Sequence, residues 1–274
     1  MRWIVFGGLI LVLLGGAYAG VRAIENGLDK GHGTYSDARG ARVVRYTLHS
    51  GRLGRDLHEV GIVPAGGGRR GLLVFMLGRG TPSDGLLSDR LFADLAALGA
   101  RAPAIVFVDG GDHSYYHDRK DGPWGAYVLR EAIPDAMRRL RADPNRVAIG
   151  GISMGGFGAL NLARLEPTRF CAVGGHSAAL WDSGGETPPG AFDDAADFAR
   201  NDVIAAARGG ARFGRGPVWL DGGDHDPFRS TDTELAALLH ATMHVWPGGH
   251  DRSYWNAHLA QYLRFYADAL AACR

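Results

Sequence analysis

Ser153 sits in the frame Gly151-Ile152-Ser153-Met154-Gly155, directly after the apolar run Val147 to Ile149. A serine hydroxyl is a weak nucleophile until a neighbouring base takes its proton, and that base needs a third group to hold its tautomer. The partners lie downstream. VWLDGGDHDPF offers Asp221, Asp224 and Asp226, and HVWPGGHDRSYW offers His250 in a glycine-flanked loop. Serine, then acid, then histidine is the chain order of a nucleophile elbow, and the chemistry such a set performs is acyl transfer through a covalent acyl-enzyme. Asp226 is the first choice of acid because it lies beyond the Gly-Gly turn, where a loop can bend back toward the histidine. Asp221, at a strand end, would instead tie down the loop, and Asp224 is the reserve. His240 and His244 fall before or within a strand, and His258 lies within an amphipathic C-terminal helix, positions suited to packing or to the surface.

In a chain with 42 glycines, a Gly-x-Ser-x-Gly frame alone is weak, so the flanking elements must support it. They do. Val147 to Ile149 reads as a short buried strand and Met154 to Leu165 as a helix, with glycines leaving room for a tight turn between them. The helix start aims backbone N–H groups at whatever sits over Ser153. An oxyanion hole needs two such donors. One is the Met154 amide; for the other, the loop MLGRGTPSDG, which follows the strand LLVFML, makes the Arg79 amide the best choice.

The wider pattern is one of strands alternating with helices. ARVVRYTLHS and DLHEVGIVP read as an opening hairpin pair. LLVFML, AIVFVD, RVAIGGI, CAVGGHS, PVWLDGG and TMHVWPGG read as further strands, with helical spacing in LLSDRLFADLAALGA and GAYVLREAIPDAMRRL. This alternation predicts a mostly parallel sheet with helices on both faces, and ligands bind such sheets at the carboxyl ends of the strands.

Composition narrows the partners. The formal charge is +1, from 30 basic and 29 acidic residues. With both signs evenly spread there is no electrostatic footprint for nucleic acid, so small molecules or lipids are the expected partners. At the start of the chain, Arg2 precedes an uncharged run from Trp3 to Val21, with small residues at Ala17 and Ala19. That is an export signal. Nineteen residues at about 1.5 Å each would just span a bilayer core of about 30 Å, so the segment reads either as a cleaved signal peptide or as an anchor. The expected organisation is signal peptide or membrane anchor over 1–22, a flexible tether over 23–40 and one catalytic domain over 41–274. The body is expected outside the cytoplasm, with membrane association, if any, through residues 3–21.

With MLGRGTPSDG, VFVDGGDHSYYHD, GISMGGFGALNLARLEPTRF, HSAALW, LDGGDHDPF and PGGHDRSYW in this order, the chain resembles the putative-esterase branch of the α/β-hydrolase superfamily, which includes esterase D-like enzymes and the antigen 85 mycolyltransferases. The resemblance runs from about residue 42 to 270. It implies the α/β-hydrolase fold, with Ser153 as nucleophile, Asp226 as orienting acid, His250 as base, and Met154 and Arg79 as amide donors. One departure is visible: many relatives have His-Gly in the first oxyanion loop, and this chain has Leu77-Gly78. The elbow reads SMGG, closer to the esterases, which favours water as the acyl acceptor. In that fold Cys171 opens a strand at the end opposite the active face, and the last helix returns Cys273 to the same end. A Cys171 to Cys273 disulfide is therefore reasonable.

His113 and His117, flanked by Asp112 and Asp118, invite a metal reading. Their glycine-rich loop does not place both imidazoles on one helical face, so the segment reads as a substrate-lining loop, with Tyr115 and Tyr116 as walls. The acidic stretch from Asp182 to Asp202 reads as a partial lid with Trp181 at its base, or as a solvated excursion. No metal or organic cofactor is expected. The function implied is an exported serine hydrolase cleaving carboxylic esters. An acyltransferase passing the acyl group to a sugar or lipid alcohol is the nearest alternative, and a non-catalytic surface binding protein is the alternative of a different class.

Overall fold

The computed structural model describes residues 31–273. The expected export segment, residues 1–22, lies outside the described residues. Among the described residues no helix is long and apolar enough to cross a membrane.

β1 (Arg42–Ser50) and β2 (Arg55–Val63) form the expected hairpin, in register from Arg42 opposite Val63 to Ser50 opposite Arg55. β3 (Leu72–Met76) and β4 (Ala104–Val108) are unbroken apolar runs because both of their faces are covered. A two-stranded ribbon, β5 (Asp118–Arg119) and β6 (Gly122–Pro123), stands apart from the main sheet. β7 (Val147–Ile152), β8 (Val173–His176), β9 (Val218–Gly223) and β10 (Thr242–Trp246) complete the order β1-β2-β4-β3-β7-β8-β9-β10. Only the β1–β2 and β2–β4 pairings of this sheet are antiparallel. The sequence-based expectation of a mostly parallel sheet therefore holds.

Side chains alternate across the sheet into two cores. Leu73 and Phe75 of β3, with Ile105 and Phe107 of β4, meet α1 (Asp89–Ala97) and the long α8 (Arg252–Ala272), through residues such as Phe92, Leu95, Tyr262 and Tyr266. Leu72, Val74 and Met76 point the other way, toward α3 (Ile133–Leu140) and α4 (Met154–Leu165). α1 begins where Ser88 accepts the Leu91 amide. The helical pattern before β7 is not one regular helix. It opens as α2 (Trp124–Tyr127), widens to a π-helical turn over Val128–Ala132 and then becomes α3. Pro134, in the first turn of α3, lacks an N–H and crowds the carbonyl four residues earlier, so the widening falls where a regular α-turn is hardest to hold.

Two further features differ from, or add to, the sequence reading. The stretch read as a tether is fastened at several points, among them Gly33, Tyr35, Ser36 and Asp37. The Gly33 amide donates to the Asp84 carbonyl at 3.1 Å, the Ser36 and Asp37 amides both donate to the Asp89 carboxylate, and Tyr35 packs on Phe92. At the opposite end of the sheet from the strand tips, Cys171 and Cys273 form a disulfide with their Cα atoms 5.8 Å apart. It ties the end of α8 to the strand that follows the elbow helix, across 102 residues of chain.

Candidate active site

Ser153 occupies the turn between β7 and α4 at φ +55°, ψ −117°, a backbone conformation that is costly for a residue with a side chain. The surroundings leave it no other course. A β-carbon on Gly155 would stand 2.1 Å from the Met76 carbonyl oxygen, so α4 and β3 approach at a distance only glycine allows. The Ser153 amide donates to the His176 carbonyl at 3.0 Å, while its own carbonyl accepts from Phe157 and Ala179. The first amides of α4 have no intrahelical acceptor, so the Met154 end of the helix is a ready donor site.

The Ser153 hydroxyl lies 2.8 Å from Nε2 of His250, and Nδ1 of His250 lies 3.0 Å from Oδ2 of Asp226. The three residues come from the tips of β7, β9 and β10, and all three are buried. Oδ1 of Asp226 accepts the Phe228 amide at 2.9 Å. Burial alone would push the Asp226 carboxyl up. The hydrogen bond and charge of His250, the Phe228 amide and the Ser177 hydroxyl outweigh it and hold the group below the usual carboxylate range.

The other acids have separate tasks. Asp224 accepts the Gly248 amide at 2.9 Å and pairs with His225, stapling the loop after β9 to the one that carries His250. Asp221 is the buried hub of a second cluster: it meets His176 at 2.6 Å and accepts from the Trp219 indole and the Tyr254 and Tyr262 hydroxyls. Asp232, on α7 (Arg229–Leu238), is fully buried and accepts the Ala178 amide. Burial, followed by the charges of Asp226 and Asp221, pushes its carboxyl well above the usual range against the pull of that amide. Asp226 and Asp232, neighbouring carboxyls, are thus shifted in opposite directions, one down and one up. Neither Asp232 nor the His176 cluster was marked by the sequence. The glycines at 150 and 174 were the available signal, since a β-carbon on either would collide with the Tyr266 hydroxyl that bonds Nε2 of His176.

The loop after β3 lies against the serine. A β-carbon on Gly78 would be 3.6 Å from Cβ of Ser153, so the segment carrying Arg79 borders that serine. Beside it opens a narrow cleft lined by Leu77, Gly78, Thr81, Ile152, Arg252 and Trp255. A much larger groove, about 670 Å³ and lined in part by Trp219, Phe265 and the disulfide, opens among residues at the amino ends of β8 and β9, away from the triad.

Tyr116 is not where the sequence reading placed it. It is 1% exposed, and its hydroxyl accepts the Leu77 amide at 3.0 Å and lies within reach of the Leu77 and Val108 carbonyls. Its φ of +54°, following φ +50° at Tyr115, turns the ring into the core beneath the loop after β3 rather than onto a pocket wall. Tyr115 is 3% and Trp181 8% exposed; the two meet in an aromatic cluster with Phe157 and Phe192, and Trp181 also contacts Phe228, which packs on His250.

Of the two histidines that suggested a metal, one has a partner of its own. His117 is buried and bonds Asp197 at 3.0 Å, while Asp118 accepts the Ala126 amide. The acids of the expected lid are mostly structural. Asp194 and Asp202 cap α5 (Ala195–Asn201) and α6 (Val203–Arg208), and Arg119 fastens the segment through the carbonyls of Gly190 and His113.

The chain matches the family model described as "Putative esterase" over residues 50–266. Among curated proteins it is similar to an Iron(III) salmochelin esterase of Escherichia coli O6:H1, at 27% identity over 176 residues. That match covers 60% of this chain and 43% of the relative, so the chain spans less than half the length of that protein. Among solved structures, a ferulic acid esterase aligns with TM-score 0.71 and 23% identity, over 84% of this chain and 99% of that one. An S-formylglutathione hydrolase from Agrobacterium tumefaciens aligns with TM-score 0.65 and 20% identity, over 86% and 98%. These likenesses show a shared α/β-hydrolase fold. Matched by the model over more than half its length, with serine, acid and histidine at the tips of a sheet of that fold, the chain belongs to the "Putative esterase" family.

Proposed function

We propose that the protein is an exported serine hydrolase that cleaves carboxylic esters through an acyl-enzyme on Ser153. The observation that carries this reading is the continuous hydrogen-bonded path from the Ser153 hydroxyl through His250 to Asp226. His250 takes the serine proton as Oγ attacks the ester carbonyl. The resulting oxyanion is held by the Met154 and Arg79 amides, each such donor contributing about 3 kcal/mol at the transition state. His250 then gives its proton to the departing alcohol, and the carbonyl re-forms as an acyl-serine. Water, deprotonated by the same imidazole, attacks that ester and releases the acid and the free serine. Asp226 stays ionised throughout, which suits a group that orients and balances the imidazolium without taking its proton.

The substrate class is a small-molecule ester, as the salmochelin esterase among the relatives suggests by its name. Export, and any membrane association through residues 3–21, rests on Arg2 and the uncharged run that follows it. The test is hydrolysis of p-nitrophenyl acetate by the purified protein, with and without trehalose or another alcohol. The expected result is turnover that falls about 10⁶-fold in Ser153→Ala, with free acetate as the product. Turnover unchanged in Ser153→Ala would overturn the reading; acetyl transfer to the alcohol at the expense of hydrolysis would make the enzyme a transferase.

A further inference from the structure

The strained turn at Ser153 is held from one side by the segment at the end of β8, which takes both backbone groups of the nucleophile. The His176 carbonyl receives the Ser153 amide at 3.0 Å, and the Ala179 amide donates to the Ser153 carbonyl at 3.1 Å. Between these two bonds, Ala178 lies against the elbow helix. A β-carbon on Gly156 would stand 3.0 Å from both Cα and Cβ of Ala178, so the segment and α4 meet with little slack. Ala178 cannot move toward α4 without displacing it, and a move away draws Ala179 off the Ser153 carbonyl. The place of Ala178 thus bears directly on the backbone of Ser153.

What holds Ala178 from behind is a side chain to which the chemistry above gives no part. Asp232, in the first turn of α7, is fully buried, and its Oδ2 accepts the Ala178 amide at 3.1 Å, across 54 residues of chain. The Ser177 amide just before it goes to a backbone acceptor, the Asp221 carbonyl at 2.7 Å. Oδ1 of Asp232 has no hydrogen-bond partner among the described residues, so the bond to Ala178 is what this buried carboxyl is placed to make. On the reading of the site given above, we propose that Asp232 is a positioning residue for the nucleophile, acting through the Ala178 amide to keep the Ser153 turn in its reactive conformation. Without that acceptor the Ala178 amide is left buried and unpaired, which favours a shifted backbone that restores its pairing. The hold on Ser153 shifts with it, and the hydroxyl leaves its 2.8 Å line to Nε2 of His250.

The experiment measures kcat and KM for p-nitrophenyl acetate, and the rate of labelling by a fluorophosphonate, in Asp232→Leu, Asp232→Ala and Asp232→Asn, with kcat normalised to titrated active sites and thermal melts run in parallel. Leucine keeps the branching of aspartate without an acceptor, and alanine, the best helix former, covers the case in which the leucine variant does not fold. In both, kcat and labelling rate are expected to fall together by about tenfold, with KM within about twofold, because a displaced hydroxyl attacks every electrophile more slowly. Asparagine still offers Ala178 a carbonyl oxygen but sets its NH2 where Oδ1 has no partner. It should therefore melt below the wild type while keeping kcat and labelling rate within about threefold. A merely structural Asp232 would lower the melting temperature in all three variants and leave kcat per active site unchanged. Wild-type kcat and labelling in Asp232→Leu or Asp232→Ala, or an asparagine variant as impaired as the leucine one, would overturn the proposal while leaving the hydrolase reading intact. A wild type that neither hydrolyses ester nor takes the probe would overturn that reading itself.

Discussion

At the scale of single residues, the sequence offered three acids near one histidine, and geometry separates them. Asp226 bonds His250, while Asp224 staples two loops and Asp221 anchors a buried cluster. Asp226→Asn should leave the fold intact and lower kcat by about 10⁴-fold, because the amide favours the wrong tautomer of the imidazole. Asp224→Asn should change kcat by less than about tenfold and lower the melting temperature slightly, since what it weakens is an exposed hold on Gly248. Parallel kinetics and thermal melts of the two variants check the assignment. The same pair bears on pH. Asp226 is held below the ordinary carboxylate range, so its contribution to stability is present above the unfolded value of about 3.9 and is lost as pH falls through the folded one.

At the scale of elements, the site depends on what lies beneath the strand tips. The Tyr116 hydroxyl takes the Leu77 amide at the point where β3 gives way to the loop that carries Arg79. Tyr116→Phe strands that buried N–H, which costs about 1–3 kcal/mol, and loosens the loop; kcat should fall about tenfold with little change in KM. Unchanged kcat together with a lowered melting temperature would reduce Tyr116 to a packing role. Behind β7 and β8, Tyr266 reaches between Gly150 and Gly174 to bond His176. Gly150→Ala would place a methyl 1.7 Å from that hydroxyl, so it should destabilise by about 3 kcal/mol or more, and by less in a Tyr266→Phe background. Denaturant titration of the four proteins in that cycle measures the coupling. The strands, the elbow and the order of the triad were legible because each is written in local spacing: apolar runs of five or six residues, glycines around Ser153, a histidine after the last strand. Tyr116 and His176 were not, because their roles arise from left-handed backbone or from partners 39 to 90 residues away. Tyr115 and Tyr116 read as pocket walls in DHSYYHD because nothing in that string reveals two consecutive residues with positive φ.

At the scale of the whole molecule, two helical layers close over one sheet, and the disulfide ties its last helix down at the end remote from the triad. The sheet also buries a charge problem unrelated to catalysis. Glu59 of β2 is buried beside Asp109 and bonds the Tyr127 hydroxyl and the Asp109 amide. Burial first, then the Asp109 charge, pushes its carboxyl well above the usual range. The folded protein therefore keeps a proton that the unfolded chain releases above about pH 4.3, and stability falls as pH rises from there toward the folded value. Glu59→Gln removes that release. It should raise the melting temperature by a few degrees at pH 8 and by little at pH 4, since about 1 kcal/mol moves a chain of this size by about 2–4 °C. Equal shifts at both pH values would argue against a neutral Glu59. The central claim remains that the hydroxyl at the tip of β7 is a nucleophile, and a fluorophosphonate probe followed by peptide mass mapping tests it most directly. The wild type should take one adduct per chain, on Ser153, and Ser153→Ala should take none. A folded wild type left unlabelled, or a label that persists in Ser153→Ala, would contradict the account.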